Sequence, residues 1–286
     1  MSKPFARFQA TARTTLLACC AALCAAAAHA QLVEEVPFVT SPDSVTLEML
    51  RLANVGPADH LIDLGSGDGR IVIVAARRFG ASGLGVEIVP QLVEASRRSA
   101  REAGVADRVK FEEQDLFRTD LSRATVVTMY LLPQVNLQLR PQLLKLRPGT
   151  RIVSHDWDMG DWKPDRTSEV AVPDKKVGLA RSSKVLFWVV PAQVGGLWCG
   201  SGPLHEFSLR LKQEHQEVEG ELLRRDRART IQGRMEGNVL RTESTRVGAL
   251  VLELEGGKLK VIDGDGPLAL VRGQAFTRVD APSCPG

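Results

Sequence analysis

The sequence predicts an α/β protein: a mostly parallel, seven-stranded sheet with helices on both faces, followed by a small antiparallel β domain. Three observations predict it. Apolar runs at 61–64, 83–86, 109–113, 125–129 and 151–154 alternate with helix-period segments, as in a parallel sheet with crossover helices. A glycine-rich turn, Gly65-Ser66-Gly67-Asp68-Gly69, joins the first run to an Ala-rich helix. Beyond Gly196 the apolar period becomes two, the signature of half-buried antiparallel strands.

Residues 1–30 hold Lys3, Arg7 and Arg13, no acid, an apolar stretch over 16–28 and the ending Ala28-His29-Ala30. That is the plan of a secretory signal peptide cleaved before Gln31; uncleaved, it would be a membrane anchor, short for a span of about 20 residues. The protein is therefore expected to be exported, periplasmic or secreted, or membrane-anchored. The whole chain is formally +3, and those three cations account for it. From Gln31 the chain is formally neutral, so global charge gives no case for nucleic acid as a partner. Of the five cysteines, Cys199 and Cys284 lie beyond this segment; in an oxidising compartment they either pair or stand as two thiols.

In order, Asp43 or Ser44 caps a helix reaching Leu52, which Gly56-Pro57 ends. The first strand, the glycine turn and a helix over 71–79 follow. The second strand ends at Glu87, and a helix over 89–103 leads to the third, with Asp115 just past it. The fourth strand ends in Tyr130-Leu131-Leu132-Pro133. A helix bearing Leu137, Leu139, Leu143, Leu144 and Leu146 runs to Pro148-Gly149, and the fifth strand ends at His155. Two runs, 168–172 and 184–190, have no helix between them and read as a hairpin closing the sheet edge. Residues 31–190 thus form the first domain, 191–196 a linker and 197–286 an all-β domain, a small barrel or sandwich. Arg224, Arg225, Arg227, Arg229 and Arg234 cluster there, as a solvated hairpin face or as a docking site for an acidic protein or anionic lipid.

Asp63, Glu87, Asp115, Tyr130 and His155 all fall at the carboxyl ends of strands, where ligands bind in such sheets. The glycine turn has the outline of a nucleotide site. Asp63 and Asp68 would repel a pyrophosphate. They favour S-adenosylmethionine (SAM), which has no phosphate and carries an ammonium and a sulfonium. Glu87, about 20 residues past the turn, is placed to hold both ribose hydroxyls. No Cys-x-x-Cys, His-Glu-x-x-His or Gly-x-Ser-x-Gly spacing occurs, so neither a metal site nor a nucleophile turn is expected.

With these pieces assembled, residues 37–190 resemble a class I SAM-dependent methyltransferase with a Rossmann-like fold. More closely they resemble the short protein-lysine N-methyltransferases of prokaryotes and mitochondria. The matching residues are Pro37-Phe38-Val39-Thr40-Ser41-Pro42, the run from Asp63 to Ile73, Gly85-Val86-Glu87, Asp115-Leu116-Phe117, Tyr130-Leu131-Leu132-Pro133 and the run from Gly149 to His155. The lead-in departs from the family where proline would precede the threonine. The resemblance implies a lysine ε-amine on a protein, often a membrane protein, as acceptor. It implies that Gly65, Ser66, Gly67 and Gly69 hold the methionine part of SAM and that Asp63 faces its ammonium. Glu87 would take the ribose and Asp115 the adenine amino group; Thr40 would cover the ligand or serve only as a turn residue. On the acceptor side it implies Tyr130, which otherwise reads as a half-buried aromatic; Asn136 reads as a polar contact or equally as a helix cap, and His155 first as a structural strand-end histidine and second as a substrate contact. Two other readings stay open: a non-catalytic binding protein working through its β domain, and a small-molecule methyltransferase.

Overall fold

The computed structural model describes residues 39–176, 180–225, 227–244 and 248–285. The export segment and Pro37-Phe38 lie outside the described residues. Five strands, β1 (His60–Leu64), β2 (Ser82–Glu87), β3 (Val109–Glu113), β4 (Val126–Met129) and β5 (Arg151–His155), are joined to β6 (Arg166–Ala171) and β7 (Ser182–Val189) in the order β3-β2-β1-β4-β5-β7-β6. The first five are parallel, and β7 runs antiparallel to β5 and β6. The expected hairpin at the sheet edge is therefore present.

Alternation along the strands explains the two layers. Leu61, Phe111, Val126 and Val153 face one way and pack under helices α1 (Asp43–Leu52), α2 (Arg70–Phe79) and α3 (Pro90–Glu102). Ile62, Leu64, Val127, Met129 and Ile152 face the other way. There they meet α4 (Pro133–Leu143) together with Trp162 and Trp188, both fully buried. Trp188 donates its indole N–H to the Trp162 carbonyl at 2.9 Å, which satisfies the polar edge that burying an indole leaves.

Two expectations about helix ends are corrected. Pro42 precedes α1, so Asp43 lies inside its first turn with no side-chain cap bond, and its charge complements the helix amino end. Helix α4 stops at Leu143 rather than at Pro148, because the chain tightens there into three-residue turns, Lys145 N–H to the Gln142 carbonyl and Leu146 N–H to that of Leu143.

Strands β8 (Gly196–Gly200), β9 (Phe207–Glu214), β10 (Glu217–Arg224), β11 (Arg227–Glu236), β12 (Val239–Thr242), β13 (Leu250–Glu255), β14 (Lys258–Gly264) and β15 (Ala275–Val279) close into an antiparallel barrel. Closure settles the choice between barrel and sandwich. Its core holds Trp198, Leu209, Leu211, Ile231, Met235, Leu252, Leu259 and Phe276. Cys199 and Cys284 form a disulfide with Cα atoms 5.7 Å apart.

Residues 191–196 differ from a free linker. Ala192 and Val194 are buried in the barrel core, and Gly196 already begins β8. The Ala192 N–H donates to the Gly237 carbonyl at 2.7 Å, and the Val194 N–H to Gln213 Oε1 at 2.7 Å. Gln216 donates to the Lys163 carbonyl at 2.7 Å, and Arg234 pairs with Asp165 at 2.6 Å. Barrel and sheet are thus packed together. Of the arginine cluster, Arg224 and Arg225 pair with Glu206, and Arg234 also with Glu217.

Candidate functional site

The strand order reverses direction between β1 and β4, leaving a crevice at their carboxyl ends. Beyond β1 the chain turns through Gly65, Gly67 and Gly69 at φ of +73°, +54° and +77°. The Gly65 and Ser66 N–H groups both donate to the Val86 carbonyl at 2.9 Å, which ties the turn to β2. A Cβ on Gly69 would stand 2.6 Å from the Phe111 ring and 2.9 Å from Ser96 Cβ. Gly69→Ala is therefore expected to destabilise the fold by about 3 kcal/mol, from left-handed backbone strain plus overpacking, read as a lower denaturation midpoint.

Three acids border this turn. Asp63 is almost fully buried, and its Oδ1 accepts the Thr128 hydroxyl at 2.7 Å. Burial pushes its carboxyl up to about 7; the Thr128 hydrogen bond opposes the rise, and the charges of Asp68 and Glu87 add to it. Glu87 Oε2 accepts the Gly67 N–H at 2.9 Å, and Oε1 accepts those of Ile88 at 2.9 Å and Val89 at 3.0 Å. Asp68 is paired with Arg70 through a two-pronged contact at 2.6 to 3.1 Å. Arg70 also donates to the Ser41 carbonyl at 2.9 Å, pinning the lead-in beside Thr40 to the glycine turn.

Asp115 accepts the Phe117 N–H at 2.9 Å, capping the short turn Leu116–Arg118. Gln114 N–H reaches the Glu87 carbonyl at 3.0 Å, so the ends of β2 and β3 are neighbours. Ile88 and Phe117 are exposed there, 68% and 43% respectively. Together they offer apolar surface for a flat ring beside two carboxylates.

Across the crevice the Tyr130 ring stacks on His155, with centroids 3.8 Å apart. His155 is buried, and its Nδ1 lies 2.9 Å from Ser41 Oγ. Burial lowers its imidazole to about 4, with Asp156 opposing and Lys175 assisting, so the ring is neutral at neutral pH. Burial and the Asp156 charge raise the Tyr130 phenol, which also stays neutral. Asn136 does not cap α4; that residue is Leu132. Asn136 is fully buried and donates to Ser154 Oγ at 3.2 Å and to the carbonyls of Trp157 at 3.0 Å and Asp158 at 3.3 Å. It thereby fixes the loop that carries the exposed Trp157.

Asp63, Gly65, Ser66, Gly67, Gly69 and Glu87 are thus brought into contact around the turn, with Thr40 and Asp115 at its borders and Tyr130, Asn136 and His155 across the crevice. Sequence reasoning missed Ser41, Arg70 and Thr128. Thr128 had a signal: it is the polar residue in the run Val126-Val127-Thr128-Met129.

The residues fit SAM. The backbone of the turn stays bare where the ligand must approach: a Cβ at Gly65 would meet Leu131 at 2.8 Å. The site presents the carboxylates of Asp63 and Glu87, and the guanidinium of Arg70 is paired with Asp68. The description "ANTKMT methyltransferase domain" matches residues 63–166. A protein-lysine N-methyltransferase of Saccharolobus islandicus (strain REY15A) is 41% identical over 140 residues, 48% of this chain and 87% of the relative. The adenine nucleotide translocase lysine N-methyltransferase of Mus musculus is 33% identical over 131 residues, 46% of this chain. The chain spans only 57% of that relative's length. A solved structure, titled an RNA methyltransferase from Salinibacter ruber in complex with S-adenosyl-L-homocysteine, is 54% identical, covers 55% of this chain and 96% of its own, and has a TM-score of 0.49.

Fold and site together define a class I SAM-dependent methyltransferase, with SAM as its cofactor. Within that class the chain belongs to the protein-lysine N-methyltransferase family.

Proposed function

We propose that this chain is an exported enzyme that methylates the ε-amine of a lysine on a protein. The lysine reading is carried by its 41% identity to the archaeal protein-lysine N-methyltransferase over 87% of that protein. When bound, SAM supplies an electrophilic methyl group on a sulfonium whose departure leaves a neutral thioether. Asp63 receives the ligand ammonium, and Gly65, Ser66, Gly67 and Gly69 let the backbone approach the methionine part. Glu87 has acceptor capacity left for the ribose, as does Asp115 for an exocyclic amine. Thr40 closes over this half of the site.

The acceptor amine attacks with its lone pair and afterwards loses a proton to solvent. It must arrive neutral, and a water-poor crevice lowers its pKa. Burial lowers the His155 imidazole to about 4, so the neutral ring is only a weak proton acceptor, and the transfer is not assigned to it as a base. Its part is to hold the Tyr130 ring by stacking. The neutral Tyr130 hydroxyl accepts an amine N–H and aims the lone pair. Asn136 acts through the loop it fixes. The exposed Trp157, on the loop that Asn136 fixes, suits a lysine flanked by apolar residues, as on a membrane-associated protein. Export is supported by the signal-peptide pattern and by the Cys199–Cys284 bond, which persists in an oxidising compartment.

The test is incubation of residues 31–286 with methyl-labelled SAM and a membrane-protein extract. Acid-stable methyllysine is expected; label in RNA or in small molecules overturns the lysine reading. Tyr130→Phe is expected to lower the transfer rate about tenfold, as for one lost hydrogen bond, with SAM binding measured by calorimetry unchanged.

A further inference from the structure

Asp63 and Thr128 are direct partners in the parallel register of β1 and β4, the two central strands that flank the crevice. Both lie in the layer shared with Leu61 and Val126, under α1–α3, where an unmet polar group is costly. Thr128 is fully buried, and its hydroxyl donates to Asp63 Oδ1 at 2.7 Å. Asp63 Oδ2 has no protein hydrogen bond, yet it is absent from the sealed, unpartnered atoms of the described residues. One oxygen is thus held, and the other has no protein partner among the described residues. Strand β4 carries no charged residue. The charges facing Asp63 are Asp68 from the glycine turn and Glu87 from the end of β2, both negative.

We propose that Thr128 is a positioning residue for cofactor binding: its hydroxyl fixes the Asp63 carboxylate with Oδ2 free and favours the anion that a ligand ammonium requires. This rests on the reading of Asp63 as the ammonium receptor. A threonine at this point does two things at once. Its branched carbon fills the strand position as valine would, and its hydroxyl opposes the combined effect of burial, Asp68 and Glu87. A hydrogen bond that favours the charged carboxylate must weaken ligand binding when removed, most strongly at low pH. A purely structural hydroxyl would change binding equally at every pH.

The experiment measures SAM affinity by calorimetry from pH 5.5 to 8 for wild type, Thr128→Val, Thr128→Ser and Asp63→Asn. Melting of each ligand-free variant checks that it folds. Thr128→Val is expected to bind about tenfold more weakly at pH 7, with the midpoint of its pH dependence moved upward and affinity regained toward pH 8. Thr128→Ser, which keeps the hydroxyl, is expected to follow wild type. A Thr128→Val chain with the wild-type midpoint overturns the positioning role, even while Asp63→Asn weakens binding. Wild-type binding that is unaffected by Asp63→Asn overturns the underlying reading of Asp63, and this inference with it.

Discussion

Asp63→Asn is expected to weaken SAM binding at pH 7.5 by about a hundredfold, the scale of one charge-assisted contact in a partly desolvated site. It should also remove the pH dependence of binding between 5.5 and 7. In the ligand-free chain the Asp63 carboxyl stands at about 7 against 3.8 for an unperturbed group. Between those values the folded state binds a proton that the unfolded state does not, so stability falls as pH rises through the window. The difference corresponds to about 4 kcal/mol at pH above 7. A cationic ligand reverses the preference, because it binds the ionised form. Wild-type affinity is therefore expected to fall up to tenfold per unit as pH drops below 7, while ligand-free wild type gains melting temperature over the same range relative to Asp63→Asn. Calorimetry and thermal melting at matched pH read the two halves of this linkage. Above about pH 8 the ligand's own α-amino group deprotonates, and affinity should fall again.

The same residue shows what a sequence does and does not disclose. Each parallel strand was legible because it is a short apolar run bounded by turn residues, and each ends close to where that run ends. The acids were legible because Asp63, Glu87 and Asp115 follow those runs at the positions where parallel sheets bind ligands. The partners that tune them were not. Thr128 lies 65 residues from Asp63, Ser41 lies 114 from His155, and Arg70 reaches 29 residues back to Ser41. Such pairs exist only once register is known, and a single-residue slip would turn Thr128 toward the opposite layer. For Asn136 the sequence left a polar contact and a helix cap equally open, because its place near a helix start is the same in one dimension, whereas its burial is a property of the packed loop. The stretch from Pro191 to Gly196 was misread as a tether for a similar reason. Its glycines and proline are linker-like, yet Ala192 and Val194 supply apolar atoms that the barrel uses to close its core.

Replacing Cys199 and Cys284 by alanine is expected to cost the barrel about 4 to 5 kcal/mol. The bond spans 85 residues from β8 to the carboxyl-terminal segment and so closes a loop containing β9 through β15. Loop-closure entropy removed from the unfolded chain grows with the logarithm of that length. The loss is large against the roughly 5 to 15 kcal/mol that holds a typical domain. An antiparallel barrel also joins its first and last strands across a long sequence separation, here β8 with β15, so it gains most from a covalent tie at that seam. The measurement is chemical denaturation of oxidised, reduced and double-alanine chains, followed through barrel Trp198 and by SAM binding. Reduction and mutation should lower the midpoint alike. Ligand binding at low denaturant should survive, because the glycine turn and Asp63 belong to the sheet. Equal midpoints for oxidised and reduced chains would remove this support for export, since the bond would then do nothing that an oxidising compartment preserves.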